Sequence, residues 1–174
     1  MNNPVLENIS TRRSIRQYTS EPLTKEQLDA ILKAAVEAPS ARNSQPWHFS
    51  VVQNTDILKS ISDNSNQNLG REGSNIFHGA PMAIFLSCVA EDRWARLDCG
   101  IATQTIALAA HSIGLGSVIL GLPEAAFTGP KGSEFNTLLK FPDGYSFAVA
   151  IAIGTPAGTK EAHPVDPGHI DFIG

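Results

Sequence analysis

Residues 98–113 read DCGIATQTIALAAHSI, and Ile101, Ala102, Thr105, Ile106, Leu108, Ala109 and Ile113 recur there at helical spacing with little charge around the cylinder. Gly114 follows as the residue that tolerates a left-handed stop. A helix apolar on nearly all sides has to be buried, either in a core or against a second subunit. Just before it, 82–89 is an apolar run without alternation, entered from Pro81, which predicts a strand covered on both faces at the centre of a sheet. Just after it, 117–120 predicts a short strand.

Further out, Asn3 and Pro4 read as the cap and first residue of a short helix carrying Val5, Leu6 and Ile9. Thr24 and Gln27 form a capping box ahead of Leu28, Ile31, Leu32, Ala35 and Val36, a helical repeat that Pro39 forbids from continuing. Residues 47–52 alternate Trp47, Phe49 and Val51 with His48, Ser50 and Val52, as a strand does, and Ile57, Leu58 and Ile61 suggest a brief helix. Residues 62–75 are almost wholly polar and aperiodic, with Gly70 and Gly73, which predicts a mobile loop suited to a lid. A helix over 134–139, a strand over 145–153 and a Pro- and Gly-rich tail from 154 complete the chain. Helices and strands are mixed without strict alternation, so the expected class is α+β, as one domain over 1–174.

The 174 residues are 42% hydrophobic and 17% charged, with a net charge of −4. That is enough apolar material for one core. No basic run tracks a phosphate backbone, so nucleic acid is not an expected partner. No apolar stretch reaches the roughly 18 residues of a membrane span and no export signal is visible, so the expectation is a soluble, cytoplasmic protein without membrane association. Cys88 and Cys99 form no disulfide framework, which agrees with a reducing compartment. His48, His78, His111, His163 and His169 lie too far apart in sequence for zinc spacing, so no metal is expected. Gly129–Ser133 (GPKGS) lacks the leading glycine and strand of a phosphate loop and reads as a surface turn. Gly114, Gly116 and Gly121 do not have the spacing of a dinucleotide fingerprint.

Three stretches in order, RRSIR at 12–16, APSARNSQPWHF at 38–49 and LAAHSIGLGSVILG at 108–121, together with FHGAP at 77–81, resemble the nitroreductase family. The resemblance implies a central mixed or antiparallel sheet flanked by helices, in a domain completed by dimerisation, with two FMN sites at the interface of a homodimer. It implies an oxidoreductase that takes electrons from NADH or NADPH and passes them to a small-molecule acceptor such as a nitroaromatic or quinone, by ping-pong kinetics. Because hydride passes through flavin N5, no side-chain acid or base is expected to be indispensable.

Residue by residue, Arg12, Arg13 and Ser14 offer guanidinium forks and a hydroxyl to the phosphate and ribityl chain, and Arg16 lies against the cofactor. A solvated charge cluster beside a helix end is the bland reading of the same arginines. Arg12 or Arg16 is also the candidate for the positive charge that favours the reduced flavin. Pro39, Ser40 and Asn43 are implied to reach the ring from the second subunit, with Gln45 bracing their loop and Trp47 in the core. Leu120 and Gly121 are implied to lie over one face of the ring, where the bare Gly121 backbone lets a second ring stack closely. Gln104 and Asn66 are further candidates for flavin contacts, Gln104 competing with a satisfied core amide. Longer family members place a basic pair near the C-terminus on the phosphate, whereas no Lys or Arg follows Lys160 here. Lys160 or His163 is the available substitute, while the tail is expected to wrap the partner subunit. Little material remains for a helical lid, which implies a broad acceptor range. A flavin-storage protein with little turnover, or a reductase of a specialised substrate on the same fold, are the competing readings.

Overall fold

The computed structural model describes residues 3–174. Its helices are α1 (Pro4–Thr11), α2 (Lys25–Val36), α3 (Thr55–Asn68), α4 (Ala95–Ser112), α5 (Glu124–Thr128) and α6 (Gly132–Leu138), and its strands are β1 (Trp47–Val52), β2 (Met82–Val89), β3 (Gly116–Leu120) and β4 (Tyr145–Gly154). The four strands form one sheet in the order β1-β2-β4-β3, antiparallel at every pairing. The expected α+β class, with helices on both faces of a central sheet, is what is observed.

The unalternating run of β2 is explained by its central place. Met82, Ile84, Leu86 and Cys88 pack toward α2 and α4, while Ala83 and Phe85 pack toward α3, α5 and α6. Cys88 and Cys99 are buried free thiols. The predicted caps are present. Asn3 Oδ1 accepts from Val5 N at 2.9 Å, Thr24 and Gln27 close their capping box, and Gly114 ends α4 with φ +80°. Among the described residues, no helix is long and apolar enough to cross a membrane, and no group of three or more His, Cys, Asp or Glu is placed to hold a metal.

One expectation is corrected. The polar stretch 62–75 is not a loop throughout, because α3 continues to Asn68 and buries Ser62, Asn64, Ser65 and Asn66. Several of the polar groups on this part of α3 pair with distant backbone, while Asn66 Oδ1 has no partner. Ile76 N donates to Ser62 Oγ at 3.1 Å, and Asn68 Nδ2 donates to Ala125 O at 2.8 Å. Helix α4 is buried on one face of the single chain. Asp98, Cys99, Ala102, Ile106 and Ala110 pack inward, whereas Leu97 is 57% exposed and Gly100 and Gln104 face outward. Within a single chain the helix is half covered.

Candidate functional site

The arginine segment is laid along the sheet edge. Ser14 bridges Ser117 in parallel, and Ile15 N donates to Ser117 O at 2.9 Å. Gly116 permits this approach, since a Cβ there would lie 3.0 Å from the Ile15 side chain. The same β-strand that starts beside the arginines ends at Leu120 and Gly121, about 17 Å further on at about 3.3 Å per residue. Leu120 is buried and Gly121 exposed.

Arg12 and Arg13 are half-buried and line a cavity of about 310 Å³ whose other walls include His111, Gly116, Ser117 and Lys160. Arg13 is partly spent locally, its Nη1 donating to Ser10 O and Arg12 O, both at 2.7 Å, at the end of α1. Arg12 differs, because its Nε is buried without a hydrogen-bond partner. Arg16 is exposed, its Nη1 reaching Ser14 O at 3.5 Å. Its charge, together with burial as the larger cause, holds His78 below the ordinary histidine value. Tyr18, whose hydroxyl donates to Ile15 O at 2.6 Å, has its phenol pushed up by burial.

Asn66 sits in buried α3, with Nδ2 donating to Ser74 O at 2.7 Å and Oδ1 buried and unpartnered. Neighbouring Ser65 donates to Pro123 O at 3.5 Å, which ties this part of α3 to the chain just beyond Gly121. Among the described residues, four buried side-chain polar atoms lack partners, and two of them belong to Arg12 and Asn66. Buried polar groups in folded proteins are nearly all hydrogen-bonded; the other two unpartnered atoms are Ser87 Oγ and Asn136 Oδ1.

Pro39, Ser40 and Asn43 lie elsewhere. Their loop is held at the start of α4, where Ala41 N donates to the Asp98 carboxylate at 3.1 and 3.2 Å. Gln45 braces it, with Gln45 N donating to Ser40 Oγ at 2.9 Å and Nε2 to Asn43 Oδ1 at 3.1 Å. Arg42, Asn43 and Gln45 all have left-handed φ near +50°. The arginines sit by the other end of α4, since Thr11 Oγ1 lies 2.8 Å from His111 Nε2. Thirteen residues separate Asp98 from His111, or about 20 Å of helix. Within one chain, then, the two halves of the expected site are not brought together. Gln104 is on the exposed face of α4 between them and is not a core amide.

Asp98 was not foreseen as a site-building residue. The signal available was a single acid in the first turn of a helix that otherwise carries little charge beyond Arg96. The residue is 2% exposed. Asp98→Ala is expected to lower stability by about 1–3 kcal/mol by leaving Ala41 N–H unsatisfied. Asp98→Asn, which keeps an acceptor, should recover most of it. Urea denaturation of the two variants checks this, and equal midpoints to the parent would mean that the loop is held by something else.

Residues 9–155 match the family model described as nitroreductase family. A protein of Archaeoglobus fulgidus, provisionally named NADH dehydrogenase/NAD(P)H nitroreductase, is 36% identical over 163 residues, covering 92% of this chain and 90% of its own length. An FMN reductase [NAD(P)H] of Bacillus subtilis is 32% identical, covering 93% of this chain and 70% of its own. The crystal structure of a nitroreductase with bound FMN from Desulfitobacterium hafniense superposes over the whole of both chains with a TM-score of 0.93 at 32% identity. On the strength of the family model, the relatives and the shared fold together, the chain belongs to the nitroreductase family.

Proposed function

We propose that this chain is an FMN-dependent oxidoreductase that moves electrons from NADH or NADPH to a small oxidised acceptor such as a nitroaromatic or quinone. The observation that carries the reading is the line from Arg12 and Arg13 along β3 to Gly121, with unpartnered Arg12 Nε at one end and a bare glycine backbone at the other. Arg12, Arg13 and Ser14 hold the phosphate and ribityl chain, Arg16 and Asn66 serve polar edges of the cofactor, and Leu120 and Gly121 back the ring. The flavin supplies two-electron redox chemistry when bound. The protein's part is to fix its orientation and to leave one face open, so donor and acceptor occupy that face in turn and follow ping-pong kinetics.

A homodimer completes the site. If two copies of α4 pair antiparallel about a two-fold axis, the Pro39, Ser40 and Asn43 loop of one protomer meets the arginine end of the other, closing the separation of about 20 Å. The exposed apolar residues fit such a partner, with Val5, Leu6 and Ile9 on α1, Leu97 on α4, and Ile170, Phe172 and Ile173 in the tail left uncovered in one chain. Gln104 lies on the same outer face. The active unit is thus a two-chain assembly of single domains, working in the cytoplasm.

The test is anaerobic titration of the purified yellow protein with NADH and with NADPH, followed by nitrofurazone or menadione. Rapid bleaching by donor, recovery of colour with acceptor, and parallel lines in double-reciprocal plots are expected. A yellow protein that bleaches only slowly would identify a flavin store instead, and a complex holding donor and acceptor together would remove the ping-pong step.

A further inference from the structure

Two residues outside the arginine motif face the same cavity as Arg12 and Arg13. Lys160 reaches it because the tail is pinned just before it. Thr19 N donates to Thr155 O and Ala157 N to Gln17 O, both at 2.9 Å, and Tyr18 bridges Pro156. Lys160 therefore leaves a fixed backbone only three residues past Ala157. His111 comes from the opposite wall, in the last turn of α4. The four residues place three permanent cations and one titratable group around about 310 Å³, with Thr11, Ser117 and Thr159 also on the lining.

The hydrogen bonds fix which histidine nitrogen titrates. Thr11 Oγ1 donates its single proton to Glu7 O at 2.7 Å. Its 2.8 Å contact with His111 Nε2 therefore has the nitrogen as donor. The neutral ring is the Nε2–H tautomer, and Nδ1 is the atom that takes a further proton. The charged groups around the ring are Arg12 and Arg13 from the linker, Lys160 from the tail and Glu7 from α1, which shares the adjoining α1/α4 groove with it. Ala34 from α2 lines that groove and adds no charge.

We propose that Lys160 and His111 complete the phosphate grip of Arg12 and Arg13, so that the chain binds FMN with uptake of one proton at His111. The inference rests on the phosphate reading above. Without ligand, burial first and then Arg12 and Arg13 hold His111 below its ordinary value, so at neutral pH the ring is uncharged. A phosphate dianion offsets the arginine charge, and the negative end of α4 also favours the imidazolium. The bound ring's proton affinity is thus raised above the free ring's. Affinity for FMN then rises as pH falls through the bound value toward the free one, and the gain is lost at higher pH. Protonation of a phosphate monoester itself, near about pH 6, opposes this only at the acid end.

The experiment is fluorescence titration of the deflavinated full-length protein with FMN and with riboflavin, which lacks the phosphate, at about pH 6.5 and about pH 8.5. For the parent, FMN affinity is expected to be about tenfold tighter at the lower pH, with riboflavin affinity flat. His111→Asn should flatten the FMN profile while leaving riboflavin binding as a check on folding. Lys160→Gln should weaken FMN about tenfold at both pH values and spare riboflavin. An unchanged FMN profile in His111→Asn, or unchanged affinity in Lys160→Gln, would overturn this inference alone. If FMN binds no better than riboflavin to the parent, the phosphate reading itself fails.

Discussion

Arg12→Ala is expected to strip the protein of FMN. The Arg12 guanidinium is half-buried with its Nε sealed from solvent and unpartnered, so its desolvation has already been incurred in the folded chain. A phosphate that pairs with it regains that cost, and truncating one partner of such a desolvated charge pair typically costs about 2–5 kcal/mol, or about thirtyfold to several thousandfold in Kd. The second arginine does not duplicate it, because Arg13 Nη1 already serves the carbonyls of Ser10 and Arg12. Arg13→Ala should therefore lose some stability at the end of α1 and less affinity. Arg12→Lys should restore only part of the loss, because an ammonium lacks the planar fork that engages two phosphate oxygens. The measurement is Kd for FMN and riboflavin in the three variants. Riboflavin should bind Arg12→Ala nearly as it binds the parent. An Arg12→Ala protein that stays stoichiometrically yellow through desalting would show that the phosphate sits elsewhere.

Much of this site was legible in the chain because its chemistry is carried by contiguous residues. Arg12 to Arg16 follow α1, the 39–45 loop lies between α2 and β1, and Leu120 ends β3, so the segments that carry the proposed site stand out locally in the chain. What the sequence did not show was their mutual position. The loop is fastened to one end of α4 by Asp98 and the arginines lie by the other end beside His111, a relation set by packing between elements far apart in sequence. The outer face of α4 carries the same lesson. Gln104 was open to being a core amide, and only the fold reveals that this chain does not cover it. In α3 the error ran the other way. Ser62, Asn64, Ser65 and Asn66 have the polarity of a surface loop, yet they are buried because backbone groups of residues 74–76 and 123–125 come to meet them. Polar residues satisfied by remote backbone leave no periodic trace in a hydropathy pattern. The five-residue α5 was missed for a simpler reason, since one turn is too short to repeat an apolar face.

Phe85→Ala should produce the largest loss of stability of any single change considered. Phe85 is fully buried in the central strand β2, on the face opposite α4. Its ring lies 5.7 Å from Phe77, 6.0 Å from Phe127 and 6.5 Å from Phe147, and Phe127 in turn stacks on Phe147 at 4.7 Å and on Phe141 at 5.3 Å. These rings join β2, α5, β4 and the chain after α6 into one block. Removing the central ring loses its transfer energy and leaves a cavity that three rigid aromatic neighbours fill poorly, at a cost of about 3–5 kcal/mol against a total of about 5–15. The consequence extends to the site, because α5 follows directly on Gly121 and packs against the α3 turn that carries Asn66. FMN affinity should fall as well, though far less than in Arg12→Ala, and saturating FMN should restore part of the melting temperature by binding only the folded state. Phe85→Leu, which keeps most of the volume, should cost less than about 1.5 kcal/mol. Urea denaturation of the flavin-free and FMN-saturated forms separates the two effects. A loss below about 1 kcal/mol for Phe85→Ala would mean that the aromatic block collapses around the gap and does not hold α5 in place beneath Gly121.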